Sequence, residues 1–237
     1  IFILLGLFIA WIVVSDARDR TSRKREIDPI KLGIGRRVRY TLFHPTEGYE
    51  ACLKDNKRSL VKVSVICVIL WFFSSSLKWQ YSGYVFSQHA PEDFNIWVIF
   101  GQTYLVVGLF VLSNWFVSTM MDGNGRLIDI VFVSSTGMIP FMVYQIIYLL
   151  LSNALTAEEG SFLSLLAVVC CLWSAVLVFL GLKVIHEFTF GRNLAAIIYT
   201  LLGIFIILFL ALLIWSLFQQ LIMFVVTIAN ELSLKMK

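Results

Sequence analysis

One short segment has the composition of a calcium-binding or phosphate-binding loop. It is Asp122-Gly123-Asn124-Gly125-Arg126, in which Asp and Asn alternate with glycine. Alternating Asp and Asn supply oxygen ligands for Ca²⁺, but an EF-hand loop needs Asp or Asn again at Arg126 and Gly at Leu127. A phosphate loop needs Gly-Lys-Ser/Thr, which is missing. The segment is therefore predicted to be a tight cytoplasmic turn, with glycine placed where positive φ is required.

The three histidines are the next candidates for chemistry. His44, His89 and His186 fall in three different predicted loops, so nothing in the sequence brings them to one metal ion. The chain has no G-x-S-x-G, H-E-x-x-H or C-x-x-C motif. The pair His186-Glu187 is only a minor catalytic candidate. We therefore expect no catalytic residue, no metal and no cofactor, and we predict that the protein is not an enzyme.

Long apolar runs must position these residues. Hydrophobic residues make up 59% of the chain and charged residues 14%, against roughly 25% charged in soluble domains. In lipid, unpaired backbone groups are so costly that solid apolar runs must be helices, since barrel strands would alternate. We predict an all-α polytopic transmembrane bundle, with five full spans plus the end of a sixth at Ile1 to Val14. The full spans are Leu60 to Leu77, Ile96 to Met121, Ile128 to Leu151, Phe162 to Leu182 and Leu194 to Trp215.

Positive charge is concentrated before the first full span. Of the 19 Lys and Arg residues, 12 lie between Ser15 and Arg58, together with seven acidic residues. Segments rich in Lys and Arg stay cytoplasmic, so the basic segment is predicted to be cytoplasmic. The weak points of this topology are Lys78 and, in the tail, Lys235 and Lys237, which all fall on the outer side. We expect the segment to contact anionic membrane lipids and not nucleic acid. The predicted headgroup contacts are Arg18, Arg20, Arg23, Lys24, Arg25, Arg36, Arg37 and Arg39.

The spans and their flanks divide the chain into four parts. Within the basic segment, Thr46 can cap a short amphipathic helix on the cytoplasmic surface, whose apolar face carries Tyr49, Cys52 and Leu53. Beyond Trp215, polar residues recur at helical spacing, which indicates a helix that lies on the outer interface or packs on a partner. The predicted parts are the end of a span (1–14), the basic cytoplasmic segment (15–58), the five-span domain (59–215) and an extracytoplasmic helical extension (216–237).

Several uncharged polar residues lie inside the predicted spans. Pro140 removes a backbone donor and is expected to kink the third span, while the hydroxyls before it take up the freed carbonyls. Small and polar residues normally serve contacts between helices, and a path for a neutral substrate is the alternative. The residues assigned to either role are Ser113, Asn114, Ser134, Thr136, Pro140, Tyr144 and Gln145.

Short motifs along the chain also resemble a known family. They are Phe43-His44-Pro45-Thr46-Glu47-Gly48-Tyr49, Asn114-Trp115, the turn Asp122 to Gly125, and Pro140. In this order they are similar to the bacterial branch of the Yip family, named for Ypt/Rab-interacting proteins. The resemblance covers roughly Tyr40 to Glu231 and implies a five-span domain with a cytoplasmic N-terminal side. It also implies a membrane adaptor without established catalytic residues, in bacteria often associated with transport systems or joined to extracytoplasmic domains.

Two functions remain after this survey. The first is an integral membrane scaffold or accessory subunit of the bacterial cytoplasmic membrane, which binds partner membrane proteins such as ABC-type transport subunits. In this hypothesis the truncated first span anchors an upstream extracytoplasmic part. The second is a transporter or permease component that moves a neutral or amphiphilic substrate, a lipid or a sugar, along the polar residues inside the spans. An intramembrane enzyme ranks third, because acid, base and nucleophile sets are missing.

Overall fold

The computed structural model describes residues 34–53, 57–87 and 94–235, and within these ranges the chain forms helices joined by short turns, with no strand. Apolar runs this long bond their backbone internally, which is the solution that lipid requires. The helices are, in chain order, α1 (Ile34–Phe43), α2 (Pro45–Leu53), α3 (Lys57–Tyr81), α4 (Ile96–Met120), α5 (Leu127–Gly137), α6 (Ile139–Ser152), α7 (Gly160–His186) and α8 (Phe190–Lys235), with a 3₁₀ turn at Ala157–Glu159 before α7.

In the part of the chain that the structure describes, five helical segments are long and apolar enough to cross a membrane, which confirms the predicted polytopic all-α fold. The segments extend past most of the predicted boundaries, because helices continue from the hydrocarbon into the interface. The predicted sixth span, Ile1 to Val14, lies outside the described residues. The five segments are Arg58–Tyr81, Ile96–Met120, Leu127–Ser152, Ala157–His186 and Phe190–Ile228.

Two ends of the bundle differ in character and are named here. The basic end carries α1, α2, the turn at 121–126 and the loop at 187–189. The distal end carries residues 82–87 and 153–159. Successive spans run in opposite directions between these ends, so that α3, α6 and the continuing α8 all point from the basic end to the distal end.

The third span is divided into α5 and α6 near Pro140, as the missing proline N–H predicts. The carbonyl of Thr136, which loses its partner there, accepts instead from the Met138 N–H. On the other side of the break, the N–H of Phe141 donates to Ser174 Oγ of α7 at 3.2 Å. A neighbouring helix therefore satisfies a backbone group that lipid would leave unpaired.

The hydroxyls before Pro140 act one turn earlier than expected. Ser134 Oγ donates to the carbonyl of Ile130 at 2.8 Å, and Thr136 Oγ1 donates to the carbonyl of Phe132 at 2.6 Å. Both carbonyls belong to the regular part of α5 and are not freed by the proline. The expectation that these hydroxyls cap the break is therefore wrong, because backbone N–H and Ser174 do so.

The core of the basic end is built around Tyr49 of α2. This side chain is fully buried, and its ring meets that of Phe132 edge to face, with centroids 6.3 Å apart. Its hydroxyl lies 3.4 Å from Thr136 Oγ1. Gly181 of α7 makes room for the ring, since a Cβ there would lie 3.0 Å from Tyr49 Cε2 and 2.4 Å from Val133 Cγ1. α2 is thus inserted between α5 and α7.

This insertion places the predicted apolar face of α2 inside the bundle. The face that carries Tyr49 and Cys52 packs on protein, and both side chains are fully buried. The helix begins at Pro45, so Thr46 is its second residue and not its cap. Helical spacing indicates which residues share a face, but it does not distinguish a face that meets lipid from one that meets other helices.

α8 is a continuous helix of 46 residues, which at 1.5 Å per residue is about 69 Å long. Its basal half, Phe190–Ile207, packs against α4 and α7, and Asn193, Ala196 and Thr200 are buried there. In the following segment, Leu208–Ile228, every residue is exposed. We call this segment the exposed half of α8.

Candidate functional site

A chain of hydrogen bonds crosses the basic end and joins three helices to the turn at 121–126. The N–H of Gly125 donates to His186 Nδ1 at 3.2 Å, so the ring hydrogen sits on Nε2, which donates to Asn114 Oδ1 at 3.2 Å. Asn114 Nδ2 donates to Thr200 Oγ1 at 3.0 Å, and that hydroxyl donates to the carbonyl of Ala196 at 2.8 Å. Each polar side chain in this chain of bonds is buried and satisfied.

The turn needs glycine for a different reason than expected. A Cβ at Gly125 would lie 2.5 Å from His186 Cε1 and 2.6 Å from its Nδ1, so only a residue without a side chain lets the backbone reach the ring. Positive φ occurs at Asp122, at 55°, and at neither glycine of the turn. The expectation of positive φ at the glycines is therefore wrong. The left-handed conformation is adopted by Asp122 instead, and Asp tolerates this conformation better than most residues.

The carboxylate of the turn faces an arginine. Asp122 pairs with Arg192 at 3.8 Å, and the same guanidinium donates to the carbonyl of Met121 and lies over the Phe188 ring, 4.8 Å from its centroid. The Phe188 ring in turn stacks on His186, with centroids 5.2 Å apart. Because the ion pair is exposed, its main effect is to position the turn rather than to add much stability.

The remaining polar residue of the turn also contacts the loop after α7. Asn124 Nδ2 donates to Glu187 Oε2 at 3.3 Å, and Glu187 itself ends α7 with a φ of 55°. Within the described parts of the chain, no group of three His, Cys, Asp or Glu side chains is placed to hold a metal ion. The arrangement is chemically suited to fixing two loops against each other.

Outside this network lie the other described histidine, His44, and two of the predicted headgroup contacts, Arg36 and Arg39. His44 is exposed and stacks on Tyr40 with ring centroids 4.5 Å apart, whereas His89 lies outside the described residues. Arg36 and Arg39 are exposed on α1, which also contains Arg37. The contacts predicted for Arg18, Arg20, Arg23, Lys24 and Arg25 also lie outside the described residues and stay predictions.

Tyr40 ties α1 to α2 at the surface of the basic end. Its hydroxyl donates to Glu47 Oε2 at 2.8 Å. This hydrogen bond to a carboxylate, with partial burial and the negative charge beside it, raises the pKa of Tyr40 above its ordinary value of 10.0. Burial likewise raises the pKa of Tyr49, so both phenols stay protonated at neutral pH.

The polar residues predicted inside the spans form separate clusters. Ser113 joins the network at the basic end, since its hydroxyl donates to the carbonyl of Thr200 at 2.7 Å. Gln145 belongs to a second cluster, in which its Oε1 accepts from Ser74 Oγ at 2.6 Å and its Nε2 donates to Ser75 Oγ at 3.0 Å. Ser134 and Thr136 bond within α5, and Tyr144 lines a cavity towards the distal end.

One member of the site is missing from the sequence predictions, and another is placed wrongly by them. Thr200 is the central hydroxyl of the network, and its signal is that it stands almost alone as a polar residue in the last apolar run. His186 is placed by the sequence in a loop, yet it is the last residue of α7 and is buried. A lone polar residue in a solid apolar run is expected to need a partner, and this rule points to Thr200.

Comparison with known proteins agrees with this architecture. The family model of the Yip1 domain matches residues 39–227, from the second half of α1 almost to the end of the exposed half of α8. Searches of curated proteins and of solved structures gave no significant match. The matched range contains α2 with Tyr49, the turn at 121–126, His186 and all but the last residue of the five candidate spans. The chain is therefore a multi-pass integral membrane protein and belongs to the Yip family.

Proposed function

We propose that this protein is a non-enzymatic membrane scaffold or accessory subunit that binds a partner membrane protein through the exposed half of α8. The observation that supports this most is the contrast in burial among the five spans. In the most apolar window of the α8 span, 6% of the residues are buried, against 22% to 56% in the other four. The helix thus offers a long surface that the described residues leave uncovered.

The length of α8 strengthens the argument. Its candidate span, Phe190–Ile228, has 39 residues, which as helix is about 58 Å, while the hydrocarbon core is about 30 Å thick. Tilting shortens the excess but does not remove it. Apolar side chains that run beyond the hydrocarbon need another cover, and a helix of a partner protein supplies one.

Polar residues on the exposed half favour a protein as this cover. Ser216, Gln219, Gln220 and Thr227 lie on one face, and among the described residues neither glutamine side chain makes a hydrogen bond. Glutamine amides at a membrane boundary gain by bonding across to another helix, since lipid tails offer no partner. A partner helix with polar groups on one face would match this stripe.

The interior of the bundle supports a structural role over catalysis or transport. Its polar side chains bond either to one another, mainly in two separate clusters, or to backbone groups. The Asn193 Oδ1 atom is the one buried side-chain polar atom without a partner in the described residues. A substrate path would require these groups to line a continuous cavity. The basic end faces the cytoplasm of a bacterium in this proposal, and the partner is a membrane subunit of a transport system.

Site-specific photo-crosslinking in cells tests the proposal. A benzophenone amino acid is placed at Phe209 or Met223, which lie on the polar face of the exposed half of α8, and at Phe162 of α7 as a similarly exposed control. We expect protein adducts with one membrane partner from the two α8 positions and none from Phe162. Adducts with lipid alone, or adducts between two copies of this chain alone, would contradict the proposed partner.

A further inference from the structure

One lysine near the distal end has an unusual environment. Lys78 of α3 is partly buried, and its Nζ lies 4.5 Å from the ring centroid of Tyr148 and 5.3 Å from that of Tyr144. Among the residues that the structure describes, no carboxylate is within ion-pair distance of this ammonium. The same lysine is one of the weak points of the predicted topology, because positive charge there opposes the orientation rule.

A partly buried ammonium without a counter-ion has a cost that must be compensated. Two tyrosine faces attract the cation and recover part of the lost hydration. They do not neutralise its charge. Counted over the described residues, the site therefore carries a net positive charge in surroundings of low dielectric constant, and an anion is the ligand class that such a site favours.

The same two tyrosines line a cavity of about 430 Å³, a volume typical of sites for small molecules. The lining includes the polar residues Ser87 and Ser164 and the apolar residues Leu163 and Ala167. The mixture suits a ligand with a polar anionic part and an apolar part.

The walls of this cavity are held by contacts within the protein. The Tyr148 hydroxyl donates to the carbonyl of Phe86 at 3.4 Å, which connects α6 to the loop after α3. Glu159, next to the lining residue Gly160, is engaged with Thr156, whose N–H and hydroxyl lie 3.0 and 3.3 Å from its Oε2. The carboxylate closest in sequence to the cavity is therefore committed to a local turn.

We propose that this cavity binds the phosphate-bearing headgroup of an anionic phospholipid. The positive charge comes from Lys78, which is not itself a lining residue but lies against the rings of the lining Tyr144 and Tyr148. The cavity lies where α6 ends and α7 begins, which is the depth of the headgroups for helices of this length. A free phosphate has the same anionic chemistry, but it would leave the apolar walls at Leu163 and Ala167 without a role. The lipid is therefore the occupant that the cavity fits. The proposal does not depend on a partner at α8.

Native mass spectrometry of the purified full chain tests this site. The protein is titrated with phosphatidylglycerol and, separately, with phosphatidylcholine of the same acyl chains. We expect tighter binding of phosphatidylglycerol, and Lys78→Gln should weaken it about tenfold, the effect of losing one charge-assisted contact. Lys62→Gln is the matched control, because Lys62 is an exposed lysine of the same helix at the basic end.

Two further measurements test whether the ligand is a lipid or free phosphate, and whether Lys78→Gln acts through its charge or by unfolding the protein. Lys78→Arg keeps the charge and should retain most of the preference for phosphatidylglycerol. Equal binding of the two lipids by the unsubstituted protein would overturn the proposal, whatever the variants do. Equal loss in Lys62→Gln and Lys78→Gln would also overturn it. Displacement of phosphatidylglycerol by millimolar inorganic phosphate would assign the site to free phosphate and reject the lipid.

Discussion

The basic end of the bundle, where α1 carries three arginines, and the strongly apolar exposed half of α8 differ completely in packing. At the basic end, Tyr49, Asn114 and Thr200 are buried by neighbouring helices. Along the exposed half, every residue from Leu208 to Ile228 is open. Apolar character is therefore not what decides where this chain packs on itself.

Small and polar residues account for the difference. The basal half of α8 carries Ala195, Ala196 and Gly203, and a Cβ at Gly203 would lie 2.4 Å from Ser113 Oγ. The exposed half carries mostly bulky Leu, Phe, Ile and Val. In lipid, apolar surface alone does not drive helices together, so close approach and hydrogen bonds must do so. The exposed half has few small residues with which to approach this chain.

The largest expected difference between the regions in the free energy of unfolding comes from removing a large side chain in each of them. Tyr49→Ala empties a fully buried site and should lower the free energy of unfolding by about 4 kcal/mol. Phe218→Ala, in the exposed half, should change it by less than about 0.5 kcal/mol. Unfolding in mixed micelles with increasing SDS, followed by tryptophan fluorescence, measures both. Similar losses in the two variants would remove the distinction between the regions.

The next effect concerns polar residues in the two regions. Asn114→Leu leaves the His186 Nε2–H without an acceptor and the Thr200 hydroxyl without its donor, which should cost about 2 kcal/mol in the same assay. Gln219→Leu makes an equivalent change in the exposed half, where no partner within the chain is lost. We expect it to be neutral for the purified protein. A loss in Gln219→Leu as large as that in Asn114→Leu would show that polar contacts do not distinguish the regions.

A smaller effect tests close approach between helices. Gly181→Ala places a Cβ 2.4 Å from Val133 Cγ1 and 3.0 Å from the Tyr49 ring, so the core must shift at a cost of about 1 to 2 kcal/mol. Gly108→Ala is the matched control in another span, because nothing lies within 4 Å of a Cβ there. This control should be neutral or slightly stabilising, since Ala favours helix more than Gly does. The reverse order of stability would contradict the packing at Gly181.

These two regions also show how far the sequence predicts the structure. Hydropathy predicts five spans, because the transfer of a helix into lipid depends mainly on its composition. It does not predict that Tyr49 enters the bundle or that His186 meets Gly125, since these contacts depend on which helices become neighbours. Pro140 is an intermediate case, in which a local rule predicts the break but not that Ser174 satisfies it. Residues with local causes were predictable, and residues with partners far along the chain were not.

The smallest expected effect lies at the surface of the basic end, where α1 meets α2. The hydrogen bond from Tyr40 to Glu47 raises the pKa of Tyr40 above 10.0 in the folded protein. A raised pKa means that the folded state holds this proton more tightly than the unfolded state. Its contribution to stability is therefore complete below pH 10.0 and disappears as the pH rises through the folded-state pKa. The contact between α1 and α2 should loosen only in strong base, while the core around Tyr49 is retained.

Titration of ¹³Cζ-labelled tyrosine by NMR, with Tyr40→Phe used to assign the resonance, measures this shift. Glu47→Gln removes the carboxylate and should return the pKa of Tyr40 towards its ordinary value. Glu50→Gln, an exposed change on the same helix, should leave it raised. If Glu47→Gln leaves the Tyr40 titration unchanged, the carboxylate contact is not its cause. The surface of the basic end would then resemble the exposed half of α8 in having no specific contacts, and the contrast between the two regions would hold only for the buried core.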